Sequence, residues 1–476
     1  MDSFFGHPRG LSTLFFTEMW ERFSYYGMRA ILILFMVATV ANGGLGFSDS
    51  KAGAIYGLYT SVGWLLCLPG GWMADRLIGQ RKAVLYGGIV IALGNFSLAL
   101  PSINAFYAGL ALIAIGTGLL KPNVSTIVGQ LYPPEDHRRD AGFSIFYIGI
   151  NLGSFLAPLI CGWLGQRINW RYGFLASAIG MTLGVIQYAA GQRSLGTAGL
   201  EPAVPAAQRA HSRKVLLWSS LVVLALAGVA LSDVLQVSAE QVANVFAFGL
   251  TAVVILVFAV LMLDKSYTRV EKNRILAIFL LFVGASLFWA AYEQAGSTLN
   301  LFAERSTRLQ FLGYGFPASW FQALNPFFIF AIAPVFAWLW VRLGPKDPSS
   351  PAKFAMGLVF VGLGFAILVP IAAMKDVSPL WLTATYFLHT VGELLLSPVG
   401  LSATTKLAPA RIAGFMMGVW FLAISVGDFI SGRLASFYSS FSLPVLFMVV
   451  AGFAIAVGMV MALLVKPMKR LMAGVN

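Results

Sequence analysis

The sequence is poor in charge. Only 11% of its 476 residues are Asp, Glu, Lys or Arg, while 58% are hydrophobic. A soluble domain carries about 25% charged residues, so a fold facing water on all sides is excluded. Cysteine is nearly absent. Cys67 and Cys161 both lie inside apolar runs and read as small buried hydrophobes rather than a disulfide or metal pair. There is no P-loop, no nucleophile elbow and no Cys/His cluster. An ATP-driven pump, a membrane hydrolase and a metalloenzyme therefore lose their required groups, and no enzyme is expected. No short repeated pore motif argues for a channel. The N-terminus, MDSFFGHPRG, lacks a signal-peptide layout, so the first apolar run is expected to stay as a helix.

What is present is length in apolar runs. A span needs about 20 mostly apolar residues. Fourteen runs qualify, near 13–40, 52–74, 83–100, 104–131, 141–165, 172–191, 215–233, 241–263, 275–302, 317–341, 354–374, 379–405, 412–438 and 443–465. The net charge of +13 would suggest nucleic acid in a soluble protein. Here the bases sit in short loops. Of the 32 Lys and Arg, 22 fall on the side of the two termini, 7 on the opposite side and 3 inside spans. That asymmetry predicts cytoplasmic termini and no nucleic-acid partner. The stretch 192–213 reads as a linker. It follows six spans and precedes a hairpin, 214–264, of two spans with few polar groups. Asn151-Leu152-Gly153-Ser154-Phe155 and Ser425-Val426-Gly427-Asp428-Phe429 lie in the fifth span of the first and last six, a faint sign of two related halves.

Ionisable residues inside the spans carry the functional signal: Glu18, Glu21, Arg22, Arg29, Lys121, Glu293, His389, Glu393 and Asp428. Each costs roughly 2.5–3.5 kcal/mol at a helix centre, so such groups face a cavity or one another. Glu18, Glu21, Arg22, Tyr25, Tyr26 and Arg29 share one broad face at 3.6 residues per turn. A structural salt-bridge lattice is the competing account, but it has no need of adjacent tyrosines. Lys121 lies mid-span before Pro122, with snorkelling as its alternative. A carboxylate that moves between a dry site and a cationic neighbour can take up and release a proton near neutral pH. Glu293 and Glu393 have that character. His389, four residues from Glu393, reads as packing on that face. Asp428 reads as a helix-packing partner for a hydroxyl rather than a relay.

The motifs resemble a known family. EMWERFSYYG (18–27) looks like the first-helix signature of the proton-dependent oligopeptide transporters, here of prokaryotic type, a branch of the major facilitator superfamily. GGWMADRLIGQRK (70–82), FSIFYIGINLG (143–153) and FWAAYEQAGSTLNLF (288–302) resemble further motifs of that family in order. The resemblance implies an all-α polytopic membrane protein of fourteen transmembrane helices. Two six-helix bundles, residues 1–191 and 265–476, would flank the linker and the inserted hairpin. It implies proton-coupled import of di- and tripeptides by alternating access across the cell inner membrane. The unit would be a monomer with no cofactor beyond the coupling proton. A relative moving nitrate or another small solute is the alternative. By resemblance, Glu18, Glu21 and Arg22 belong to the coupling motif, and Arg29 and Glu293 form a proton-sensitive pair. Lys121 and Glu393 form a second pair. Arg22 and Lys121 would hold a peptide carboxylate, and Glu393 and Asn325 its amino terminus. Tyr25, Tyr26, Tyr59, Asn151, Trp289 and Trp420 would line side-chain pockets. Some members carry a His on the second helix. IYGLYTS (55–61) has none, so carboxylates must do the coupling.

Overall fold

The computed structural model describes residues 4–133, 136, 138–200, 204–231, 238–409 and 412–474. Its helices are, in order, α1 (Gly10–Val37), α2 (Asp49–Leu65), α3 (Cys67–Met73), α4 (Gln80–Leu98), α5 (Ile103–Gln130), α6 (Arg139–Trp163), α7 (Trp170–Gly191), α8 (Ala206–Leu231), α9 (Ala239–Leu263), α10 (Arg269–Tyr292), α11 (Thr298–Ser306), α12 (Leu324–Leu343), α13 (Ser350–Ala366), α14 (Pro379–Leu407), α15 (Ala413–Ala435) and α16 (Leu443–Leu471). A small hairpin of β1 (Gln310–Phe311) and β2 (Tyr314–Gly315) follows α11.

Within the described residues, each of the fourteen apolar runs corresponds to one helical stretch. α2 and α3 run on as one stretch to Ile78, and α10 and α11 as one to Ser306. Ten stretches are long and apolar enough to cross a bilayer on hydropathy alone. α1, α4 and α14 fall short of that measure. α1 carries Glu18, Glu21, Arg22 and Arg29, and α4 opens on basic residues. Charge dilutes the apolar average of these two without shortening them. One boundary differs from expectation. The connection placed at 192–213 is shorter, because α8 starts at Ala206. The Arg209 N–H donates to the Pro205 carbonyl and closes the first turn, as expected where proline precedes good helix formers such as Ala and Gln. The turn of the inserted hairpin, 232–237, and Arg411 of the basic tally lie outside the described residues.

By contact the chain forms two compact units. The first comprises Met1–Tyr25, Val62–Gly153 and Phe174–Phe246; the second comprises Tyr26–Ser61, Ser154–Gly173 and Ala247–Asn476. In the first unit, α4 lies along α5 and α3 also packs on α5. Arg81 ties the turn after α7 in place, donating to the carbonyls of Ala198 and Gly196 at 2.6 Å each. In the second unit, α13 packs on α14 and α16, and α10 on α15. Arg305 grips Asp49 through two bonds of 2.7 Å.

The faint sequence repeat has a structural counterpart. A Cβ on Gly153 would sit 2.1 Å from the Met19 carbonyl oxygen of α1, and a Cβ on Gly427 would sit 2.4 Å from the Trp289 Cβ of α10. Each half therefore uses a glycine in its fifth span to seat that span against its first. Small residues let membrane helices approach this closely, where dispersion and not hydrophobic exclusion drives association. Gly153→Ala or Gly427→Ala should each destabilise the protein by about 1–3 kcal/mol, the usual cost of overpacking. Gly452→Ala, where nothing lies within 4 Å of the added methyl, should not. Thermal unfolding of the three variants in detergent tests this.

Candidate transport site

α1 runs without a proline from Gly10 to Val37, so its polar residues stay in helical register. In the first unit, Glu18 is fully buried and Glu21 and Arg22 nearly so. Arg22 holds Glu21 through two bonds, 2.5 Å from Nε and 2.6 Å from Nη2. Its Nε also lies 3.6 Å from Glu18, one turn back. Lys121, reaching across from α5, pairs with the same Glu18 oxygen. The Arg22 guanidinium lies 4.8 Å from the centre of the Tyr25 ring, a favourable cation–π distance. Two acids and two bases thus cancel inside a low-dielectric interior. That balance lets four charges stay buried where any one alone would be expelled or neutralised. Asn151, on α6 of the same unit, is buried and donates to the Tyr147 carbonyl at 3.0 Å.

The second unit holds a different arrangement. α10 breaks at Glu293 into a tight turn, Glu293–Gly296, before α11 begins. Broken helices at membrane depth occur where backbone lines a cavity. The Glu293 carboxylate pairs with Arg29, whose Nε donates to the Tyr56 hydroxyl at 2.8 Å. Tyr26 lies under the same guanidinium at 5.5 Å. Close by, Glu393 of α14 accepts from the Tyr292 hydroxyl at 2.6 Å and from the Asn325 amide at 2.8 Å. Both bonds reach the same oxygen, Oε2. Tyr26, Arg29, Tyr292, Asn325, Ser154, Gln322, Tyr386 and His389 line one cavity. Trp289 stands edge-on to Tyr292 at 5.2 Å. Within this unit Tyr59 and Trp420 are buried but do not border the cavity; the Trp420 ring lies against Gly400.

A family model described as the POT family matches residues 81–450. The chain belongs to the POT family. A peptide transporter of Yersinia enterocolitica is 40% identical over 99% of this chain and 96% of its own length. A di-/tripeptide transporter of Lactococcus lactis subsp. cremoris is 38% identical over 100% of this chain and 98% of its own. The crystal structure of a POT peptide transporter in complex with sulfate superposes with a TM-score of 0.94 at 43% identity, covering 99% of this chain and 97% of that one. The major facilitator architecture expected from the motifs is therefore the observed one, in a membrane transporter and not an enzyme.

Within this POT-family chain, the foreseen charged residues sort into two groups, one in each unit. Lys121 is held by Glu18, and Glu393 by Tyr292 and Asn325, each inside its own unit. Two tyrosines were not foreseen. Tyr56 shares the second helix with Tyr59, and Tyr292 directly precedes Glu293; neither carries charge, so a search for charge passed them by. Among the described residues no three His, Cys, Asp or Glu side chains gather as a metal site. Arg29→Ala would strand Glu293 in a dry site. It should cost about 3–5 kcal/mol, as for other buried pairs cut on one side, whereas Glu293→Gln, which keeps an oxygen to accept from Arg29 and leaves the Arg29–Tyr56 bond in place, should cost less. Melting of both variants in detergent measures the difference.

Proposed function

We propose that the protein is a proton-coupled symporter that imports di- and tripeptides across the cytoplasmic (inner) membrane, with both termini in the cytoplasm and a single chain as the working unit. Two six-helix bundles, residues 1–191 and 265–476, would alternate access to the substrate; residues 192–205 would connect the first bundle to an inserted hairpin. The observation that carries this reading is the four-charge cluster of Glu18, Glu21, Arg22 and Lys121. It is neutral as it stands, with every base committed to an acid. An incoming carboxylate can claim Arg22 and Lys121 only if an acid gives up its charge. Protonating one of Glu18 or Glu21 frees a cation and restores neutrality in the same step. Proton and carboxylate uptake are linked by electroneutrality in a site too dry to bear a surplus.

The other end of a peptide carries an ammonium group. Glu393 suits it, since Tyr292 and Asn325 both occupy Oε2 and leave Oε1 to receive a cation. Tyr25, Tyr26, Tyr59, Asn151, Trp289 and Trp420 would offer aromatic and amide walls that accept many side chains without demanding one shape. Protonation of Glu293 would remove the charge that holds Arg29 and leave it the neutral Tyr56. The proton is the coupling ion, and no further cofactor is proposed. The names of the Yersinia and Lactococcus relatives support peptides as cargo over nitrate, and nitrate has no cation for Glu393 to hold.

Purified protein in liposomes with an imposed inward proton gradient should accumulate a labelled dipeptide, and excess nitrate should not compete. Glu293→Gln should abolish gradient-driven accumulation while leaving dipeptide counterflow measurable. Undiminished accumulation by that variant would overturn the coupling role of Glu293.

A further inference from the structure

Asp428 stands on α15 with 1% of its surface exposed. The proposed cycle gives it no part. Its neighbours on the same helical face fix its position. Ser425, three residues before it, meets the Ser61 hydroxyl at 2.9 Å and donates to the Ser61 carbonyl at 2.8 Å. Ser431, three residues after it, meets the Ser297 hydroxyl at 3.4 Å. Ser297 directly follows the turn that carries Glu293. At Gly296 in that turn, an added Cβ would lie 2.0 Å from the Tyr56 hydroxyl and 2.6 Å from Arg29 Nε. Residues three apart on a helix face the same way. Asp428 is thus bracketed between α2 and the Glu293 turn, beside the Arg29–Tyr56–Glu293 group.

The charges of this group do not balance as those of the first unit do. Arg29 brings one positive charge, while Glu293 and Asp428 could bring two negative ones. The other elements packed on α15 add no cation here among the described residues. α10 presents Ser286 and Trp289 where Gly427 meets it. The turn adds Gln294, and α14 carries His389 and Glu393, the latter committed to Tyr292 and Asn325. Tyr56 is a phenol. With both carboxylates ionised the group would hold a surplus negative charge out of water.

Resting on the proton-coupled reading above, we propose that Asp428 is a second proton-carrying carboxylate of the Arg29 site, sharing one proton with Glu293. While Glu293 is ionised and paired with Arg29, the proton sits on Asp428. When Glu293 takes a proton, the O–H of Asp428 breaks as that of Glu293 forms, and the Asp428 carboxylate becomes the counter-charge of the arginine. Neutrality is kept at each stage. Arg29 can then leave Glu293 without an unpaired charge, with Tyr56 as the contact common to both arrangements.

The two carboxylates behave as one coupled pair, which gives a test independent of transport. Infrared difference spectra of the purified protein at neutral pH, wild type minus variant, should show the loss of one protonated carboxyl band in Asp428→Asn. They should show the same loss in Glu293→Gln, because Asp428 must then ionise to balance Arg29. A band that persists in Glu293→Gln, or that is missing from the wild type, would overturn the proposal, even should Asp428→Asn fail to fold. In liposomes, the ratio of gradient-driven uptake to counterflow should fall about tenfold in Asp428→Asn, within the usual range of coupling between linked sites. A packing role alone would lower both rates together and leave the ratio and its pH profile unchanged, which would also overturn it. Absence of dipeptide transport by the wild type would sink the functional reading instead, and the infrared result would stand apart from it.

Discussion

A guanidinium kept out of water needs a negative partner, and in this chain Arg29 keeps Glu293. Much of the second unit can be read from that one pair. α10 breaks at the residue that supplies the acid, and α2 supplies Tyr56 to the other edge of the guanidinium. Gly296 is small because Tyr56 and Arg29 occupy the space a side chain would need. The cavity lined by Arg29, Tyr26, Tyr292 and Asn325 is bordered by the same residues that satisfy the charges. Pairing and cavity formation are one arrangement, since a cavity that holds charge must also be walled by groups that can answer it.

The same constraint acts differently in the first unit. There four charges close on themselves, with Arg22 on Glu21 and Lys121 on Glu18. The result is a neutral but breakable cluster. A buried ion pair adds little net stability over a well-packed apolar alternative, so stability alone does not account for placing four such residues there. In the proposed cycle they are replaceable: an arriving anion would substitute for one of the acids if a proton goes with it.

Packing follows from a separate rule. In lipid the apolar face of a helix gains little by leaving the solvent, so close approach and shape must hold helices together. Gly153 and Gly427 meet that need at matching places in the two halves. Their likeness in sequence, Asn-Leu-Gly-Ser-Phe and Ser-Val-Gly-Asp-Phe, was slight as a string. It becomes telling once each glycine is found at the crossing of a fifth span with its own first span.

The sequence by itself determined the class, the number of spans and most of the buried charges, though not Asp49 or Lys353. Those follow from hydropathy, length and the asymmetry of Lys and Arg, all properties summed along the chain. The motifs on α1 and α10 named the family, and the comparisons bore that out. The partners of the charges were decided only by the tertiary structure. Lys121 on Glu18, Tyr292 on Glu393 and Tyr56 on Arg29 join residues 103, 101 and 27 positions apart, and helical periodicity carries no information over such separations. Asp428 shows the difference most plainly. On its own helix it reads as a packing residue beside serines. Only the packing of α15 against α2 and the Glu293 turn brings it to the side of the Arg29 group.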